Sequence, residues 1–356
     1  MNQVSMDRRA FLRGAGTTIG LLAAGGVLSA CGGSATPAAA VDPDATPEQR
    51  AEAERELLFY MTATDYQPFL DGFAAAYPWA ETHSSIGTPG DNMQKVQTEF
   101  TAKAPTADIV LLNAAQRSVL VQGDVLQPLR DVPNTANYDQ GWADPDGLTF
   151  SFIADPRVVA YNTNLLGSTP LVEDIYELAD PQYRDKIVFD KPQNYGTSAW
   201  WLSSQRAAWG DAKWMQWLEG LKANNVLIAS SASNGFQSVI TGERVFCVTT
   251  MKELVNNPQA PIAANFYANM VLSPLMLAAP AGAAHPNVAA LFVNWVLSEE
   301  GQATAGETGA TPVIGSTLEA DLNLPPHASL SAPSQNQAYV DDPDSFMEIY
   351  NELWPA

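Results

Sequence analysis

Five short apolar runs constrain this chain more than any other feature: 57–61 (LLFYM), 108–112 (DIVLL), 186–190 (KIVFD), 226–229 (VLIA) and 245–248 (VFCV). Each is too brief for a helix and apolar through its centre, the pattern of a strand buried on both faces. Most lead, through a turn rich in hydroxyl, amide or acidic residues, into a segment with helical spacing. After the first run that segment presents Phe69, Leu70, Phe73 and Tyr77 on one face. Strands alternating with helices predict an α/β fold with mostly parallel sheets. Ligands in such sheets sit beyond the carboxyl ends of the strands. The loops at 62–65 and 113–116 are therefore the first candidates for a binding site.

One stretch breaks the alternation. Residues 148–161 (LTFSFIADPRVVAY) are too long for a hairpin arm and predict a passage between two lobes. The chain is expected to return to the first lobe near 265–277. The division is thus 56–150 plus 270–356 for lobe 1, and 151–269 for lobe 2. In lobe 2, Thr197 and Ser198 stand as an N-cap pair for a helix over 199–208, and Trp214, Trp217, Leu218 and Leu221 share a face of the next. An amphipathic helix is predicted over 286–298. Another runs over 343–354, joined by a Pro-rich linker around 324–335.

The first 31 residues read as an export signal: Arg8, Arg9 and Arg13 at the head, a weakly apolar middle over 14–27, and Leu28-Ser29-Ala30-Cys31 at the end. The end resembles a bacterial lipobox, which implies lipidation of Cys31. The head resembles a twin-arginine signal, with Asp7 where Ser or Thr is usual. Five glycines between 14 and 26 argue against a membrane-spanning helix. Residues 32–55, rich in Gly, Ala and Pro, predict a flexible tether. Once Cys31 is lipidated, Cys247 is left alone in an apolar run, which predicts a small buried residue and no internal disulfide. With 18 basic against 39 acidic residues, a net charge of −21, the surface repels nucleic acid.

Beyond these local signals, RVVAYNTNLL (157–166), ELADPQYRDKIVFDKP (177–192), WLEGLKANNV (217–226) and AALFVNWVLSEEGQ (289–302) resemble, in order and spacing, the type II extracellular solute-binding proteins of ABC importers. The branch is the one that contains ferric-iron and phosphonate binders. The resemblance implies two α/β lobes joined by crossing hinge strands and closing on a small-molecule ligand. It also implies a monomer tethered through Cys31 beside a membrane permease. Iron-binding members carry two adjacent tyrosines where this chain has Thr249 and Thr250, so a tyrosine-based ferric site is disfavoured.

The remaining candidates are rich in hydroxyls and helix starts: Thr62, Thr64, Asn113, Tyr195, Gly196, Thr197, Ser198, Ser231, Asn234, Thr249 and Thr250. They favour a small polar or anionic organic ligand, because helix N-termini attract anions. Asp65 and Glu253 leave open an ammonium group or a polyamine, for which Trp200 or Trp201 could supply aromatic walls. Ferric iron, and a receptor feeding a membrane sensor, stay open as well. His83, His285 and His327 are scattered and suggest no metal site. No cofactor is implied. Hydrolase elbows, zinc-binding HExxH, phosphate loops and CxxC pairs are absent from the sequence, and no enzyme is expected.

Overall fold

The first element lies where a flexible tether is predicted. Thr46-Pro47-Glu48-Gln49 is a capping box: the Thr46 hydroxyl accepts from the Gln49 amide while the Gln49 side chain accepts from the Thr46 N–H. It starts helix α1 (Pro47–Glu54). The helix is fastened to lobe 1, with Glu54 accepting from the Asn287 and Val288 amides and Arg50 pairing with Asp131. The tether expected over 32–55 therefore ends before residue 47. The structure is a computed structural model that describes residues 44–355, apart from 139–143, 193–195, 269, 271, 308–311, 314–338 and 340–341. Cys31, Arg8, Arg9, His327 and the linker around 324–335 lie outside the described residues.

Strand β1 (Glu56–Met61) is followed by α2 (Gln67–Ala76), β2 (Glu81–Ile86), α3 (Pro89–Ala102), β3 (Ile109–Asn113), α4 (Ala114–Gln122) and the two-residue β4 (Leu126–Gln127). β1 lies between β2 and β3 and is parallel to both. The long β5 (Phe150–Asn162) then leaves this lobe. Lobe 2 contains β6 (Ile187–Asp190), α5 (Thr197–Trp209), α6 (Asp211–Ala223), β7 (Leu227–Ala229), α7 (Ala232–Ile240), β8 (Phe246–Thr250), α8 (Met251–Val255) and β9 (Ile262–Asn265). β6 is parallel to both β7 and β8. β10 (Leu272–Pro280) returns to lobe 1, followed by α9 (Pro286–Val296) and α10 (Glu299–Glu307). The last described helix is α11 (Pro343–Leu353).

The strands follow the order β2-β1-β3-β10-β5-β8-β6-β7. The first half of β5 pairs antiparallel with β10, from Phe150 opposite Leu277 to Pro156 opposite Leu272. Its second half pairs with β8, from Arg157 opposite Thr250 to Tyr161 opposite Phe246. One strand thus belongs to both lobes, as the length of 148–161 predicts.

Each lobe has its own core. In lobe 1, Phe59, Phe69, Phe73, Phe152 and Phe292 are buried together, with Phe73 edge-on to Phe292 at 5.3 Å. In lobe 2, Trp200, Trp201, Trp214 and Trp217 are each 2% exposed or less. α11 also belongs there: Phe346 packs on Trp214 at 5.6 Å and on Tyr339 at 5.3 Å. This corrects the assignment of all of 270–356 to lobe 1. Cys247 is fully buried, and burial pushes its thiol up, out of the reactive range. Among the described residues no helix is long and apolar enough to cross a membrane.

Candidate functional site

The carboxyl ends of β1, β3, β6, β7 and β8 converge on one cleft between the lobes. It encloses a cavity of about 320 Å³. Lobe 1 contributes Thr62 and Tyr66 beyond β1, and Asn113 and Gln116 at the start of α4. Lobe 2 contributes Asp190 and Lys191, Gly196 to Ser198, Ser230 to Ala232, and Thr250, Lys252 and Glu253. Parallel packing brings these loops together, because parallel strands put their carboxyl ends on one side.

Arg157 forms the floor. β5 carries it just past the crossing between the lobes, and it is only 2% exposed. A buried guanidinium must be paired. Here Nη1 donates to Asp190 Oδ1 at 2.9 Å and Nη2 to Ser198 Oγ at 2.6 Å. The Ser198 hydroxyl donates in turn to the second Asp190 oxygen. Burial on its own works against the Arg157 charge, but the Asp190 carboxylate outweighs it and raises the arginine above its ordinary value.

This triad explains a difference from the sequence expectation. Ser198 does not cap α5, because its hydroxyl is engaged by the arginine and the aspartate. Gly196 occupies the N-cap, and among the described residues no cap side chain accepts from the first N–H groups of the helix. Those donors open beside the cavity, at the positive end of a 13-residue helix. By contrast, Ser231 caps α7 through the Asn234 amide at 3.1 Å, and Asn113 caps α4 through the Gln116 amide at 3.1 Å.

Of the residues predicted for the site, Thr62, Asn113, Gly196, Thr197, Ser198, Ser231, Thr250 and Glu253 line the cavity. Thr249 does not. Successive strand residues face opposite sides, so when Thr250 faces the cleft Thr249 points into the core, where it is fully buried. Thr64 is exposed outside the cavity. Asp65 stands at the rim, ion-paired across the cleft with Lys252. Asn234 donates to Ser230 Oγ at 2.6 Å instead of facing the cavity. Trp200 and Trp201 are core residues, which removes the aromatic walls suggested for a polyamine. Glu253 accepts from Ser233 Oγ at 2.7 Å. Tyr195 lies outside the described residues.

Sequence reasoning missed Arg157, Asp190, Lys191 and Lys252. A charged residue inside an apolar strand, as in DPRVVAY, was the available signal for Arg157. These residues offset the acidic excess in the cleft. Its wall carries three cations (Arg157, Lys191 and Lys252) against two carboxylates (Asp190 and Glu253), with Asp65 at the rim as a third, in a chain whose net charge is −21. Among the described residues no group of three or more His, Cys, Asp or Glu side chains is arranged to hold a metal ion.

Two curated relatives match part of the chain. Iron uptake protein A2 of Synechocystis sp. is 29% identical over 134 residues, 37% of this chain and 37% of that protein. Iron uptake protein A1 of the same organism is 24% identical over 224 residues, 62% of this chain and 58% of its own length. The chain thus spans between about a third and three fifths of these relatives. Solved structures match more fully. Iron-bound HitA from Pseudomonas aeruginosa superposes with a TM-score of 0.72 at 20% identity, over 84% of this chain and 99% of that one. AfuA from Actinobacillus pleuropneumoniae, with fructose 6-phosphate bound, gives 0.70 at 20% identity, over 83% and 98%. At these identities the likeness is one of fold, the two-lobed type II binding-protein fold. The family profile described as bacterial extracellular solute-binding protein matches residues 70–334, most of the chain, and this protein belongs to that family.

Proposed function

We propose that the protein captures a small organic anion in the cleft and delivers it to an ABC permease. The observation that carries this reading is local: a wall whose three cations offset the carboxylates around it, beside a helix start with a glycine N-cap, inside a strongly acidic molecule. Tetrahedral oxyanions suit such a site, because several N–H and hydroxyl donors can converge on one group. Phosphate monoesters and phosphonates are the ligand class. Thr62, Asn113, Thr197, Ser231 and Thr250 supply further polar contacts, and closure of the lobes signals occupancy to the permease. The receptor is exported through the Arg8-Arg9 signal and held at the membrane by a lipid on Cys31. A radiolabelled palmitate chase comparing the protein with Cys31→Ser tests the anchor: label on the variant rejects it.

Ferric iron is the second reading, favoured by the iron-transport names of the relatives. Tyr66, Asp190 and Glu253 are the oxygen donors available to it in the wall. Calorimetric titration with fructose 6-phosphate, methylphosphonate, ferric citrate and putrescine separates the readings. Binding of either phosphorus compound, weakened at least tenfold by Lys252→Gln, supports the anion. Ferric citrate alone gives the site to iron, and putrescine alone overturns the anion reading. A saturating ligand at about 100 times its dissociation constant also adds about 2.7 kcal/mol of stability, which a thermal melt reads independently.

A further inference from the structure

Lobe 2 has a second cavity, of about 420 Å³, whose wall shares Lys191 with that of the cleft. Its walls come from three elements. Val226, Leu227 and Ile228 supply one side, along β7. β7 is the last strand in the sheet order, so among the described residues one edge of its backbone has no strand partner. Tyr350, Leu353 and Trp354 of the C-terminal helix and its end supply the opposite side, and Lys191 and Arg244 supply positive charge.

Two polar groups in this wall are unspent. The Tyr350 hydroxyl, on a residue only 3% exposed, has no hydrogen-bond partner among the described residues. Arg244 Nε is also buried without a partner, its Nη1 donating only to the Glu243 carbonyl at 3.1 Å. Burial and the nearby Asp190 push the Tyr350 phenol up, so it stays a donor at neutral pH. Buried donors without acceptors are uncommon in native proteins. Neither Lys191 nor Arg244 makes an ion pair among the described residues, although the chain has twice as many acids as bases. Asn225 is the exception in this wall, its amide already donating to Asp185 at 2.7 Å. Beside these donors the Tyr350 and Trp354 rings stack as a tilted pair, 5.0 Å apart and 31° from parallel, and add apolar surface to the wall.

We propose that this cavity is a second binding site, for a planar aromatic carboxylate. The carboxylate accepts from Arg244, Lys191 and the Tyr350 hydroxyl, and the ring lies against Trp354 and the β7 side chains. The volume falls within the range of small-molecule sites. The site stands apart from the cleft reading. Only Lys191 is common to both walls, so Arg244 is the residue to change.

Indole-3-carboxylate is the probe, titrated calorimetrically into the full-length protein beside indole-3-carboxamide, which keeps the ring and removes the charge. One equivalent of carboxylate binds, at least tenfold more tightly than the carboxamide. Arg244→Gln and Tyr350→Phe each weaken it, the first at least tenfold, while Thr197→Val in the cleft leaves it unchanged. Equal binding of carboxylate and carboxamide overturns the proposal on the unmodified protein, whatever the variants do. So does absence of binding at millimolar probe, or loss of binding in Thr197→Val, which moves the probe into the cleft. The Thr197→Val arm reads the cleft, and the comparison of Arg244→Gln with the unmodified protein reads this cavity, so failure of the cleft reading and failure of this one are told apart.

Discussion

At the scale of single residues, the most informative charges are those the fold has committed. Asp144 accepts from Arg117 Nη2 at 3.0 Å, from the Thr149 hydroxyl at 2.8 Å and from the Thr149 amide at 3.1 Å. Burial raises this carboxyl, but the hydrogen bonds from Thr149 and Arg117 prevail and hold it below its ordinary value. A carboxyl lowered in the folded state stabilises the protein above its unfolded value and loses that contribution as pH falls through the folded value. Asp144→Asn is therefore expected to cost about 1–2 kcal/mol at neutral pH. The difference should shrink as the pH falls through the lowered folded value, where the wild-type carboxylate takes up its proton. Urea unfolding at neutral and acidic pH checks this. A cost constant across pH would assign the effect to packing. Arg157 shows why such commitments are hard to read in advance. Its place in DPRVVAY marks it as unusual, but the strand pattern says nothing of which side chains meet the guanidinium. Ser at a helix start usually caps it, which is what the sequence predicts for Ser198, and only the approach of β5 redirects its hydroxyl.

At the scale of elements, the five apolar runs became β1, β3, β6, β7 and β8, because a run apolar on both faces has few alternatives to burial in a covered sheet. β2 (ETHSSI) carries no such run; it is a largely exposed edge strand held by its pairing with β1, so periodicity gave no sign of it. α1 had a sign, the Thr46–Gln49 capping box, which the Gly, Ala and Pro content around it obscured. α11 was placed in the wrong lobe for a different reason: an amphipathic face announces that it must be buried but not against what. Its Phe346 is 1% exposed and touches Trp214 of α6. Phe346→Ala is expected to cost about 3–5 kcal/mol. Hydrogen exchange should then quicken in α6 and the neighbouring lobe 2 elements, while α2 and α9 in lobe 1 keep their protection. Quickening confined to α2 and α9 would return the last helix to lobe 1.

At the scale of the molecule, β5 and β10 carry the chain between lobes that have separate cores, so opening and closing need disturb neither core. The ion pair between Asp65 of lobe 1 and Lys252 of lobe 2 spans the cleft, so a hinge opening that parts the two rims would break it. Lys252 also stands 5.7 Å from the centre of the Tyr66 ring, so closure places it against both a charge and an aromatic face. The pair is partly exposed, which limits its worth to about 1 kcal/mol, or about fivefold in the balance between open and closed forms. Asp65→Asn should accordingly shift the ligand-free protein toward the open form by up to that factor at low salt. Energy transfer between one dye on α1 and another on α6 measures it. At about 1 M salt, where screening acts over about 3 Å, variant and wild type should coincide, because the charge is already muted. A shift that survives high salt would make the contact one of packing against Tyr66, and no shift at low salt would mean that β5 and β10 set the closed form without help from the rim.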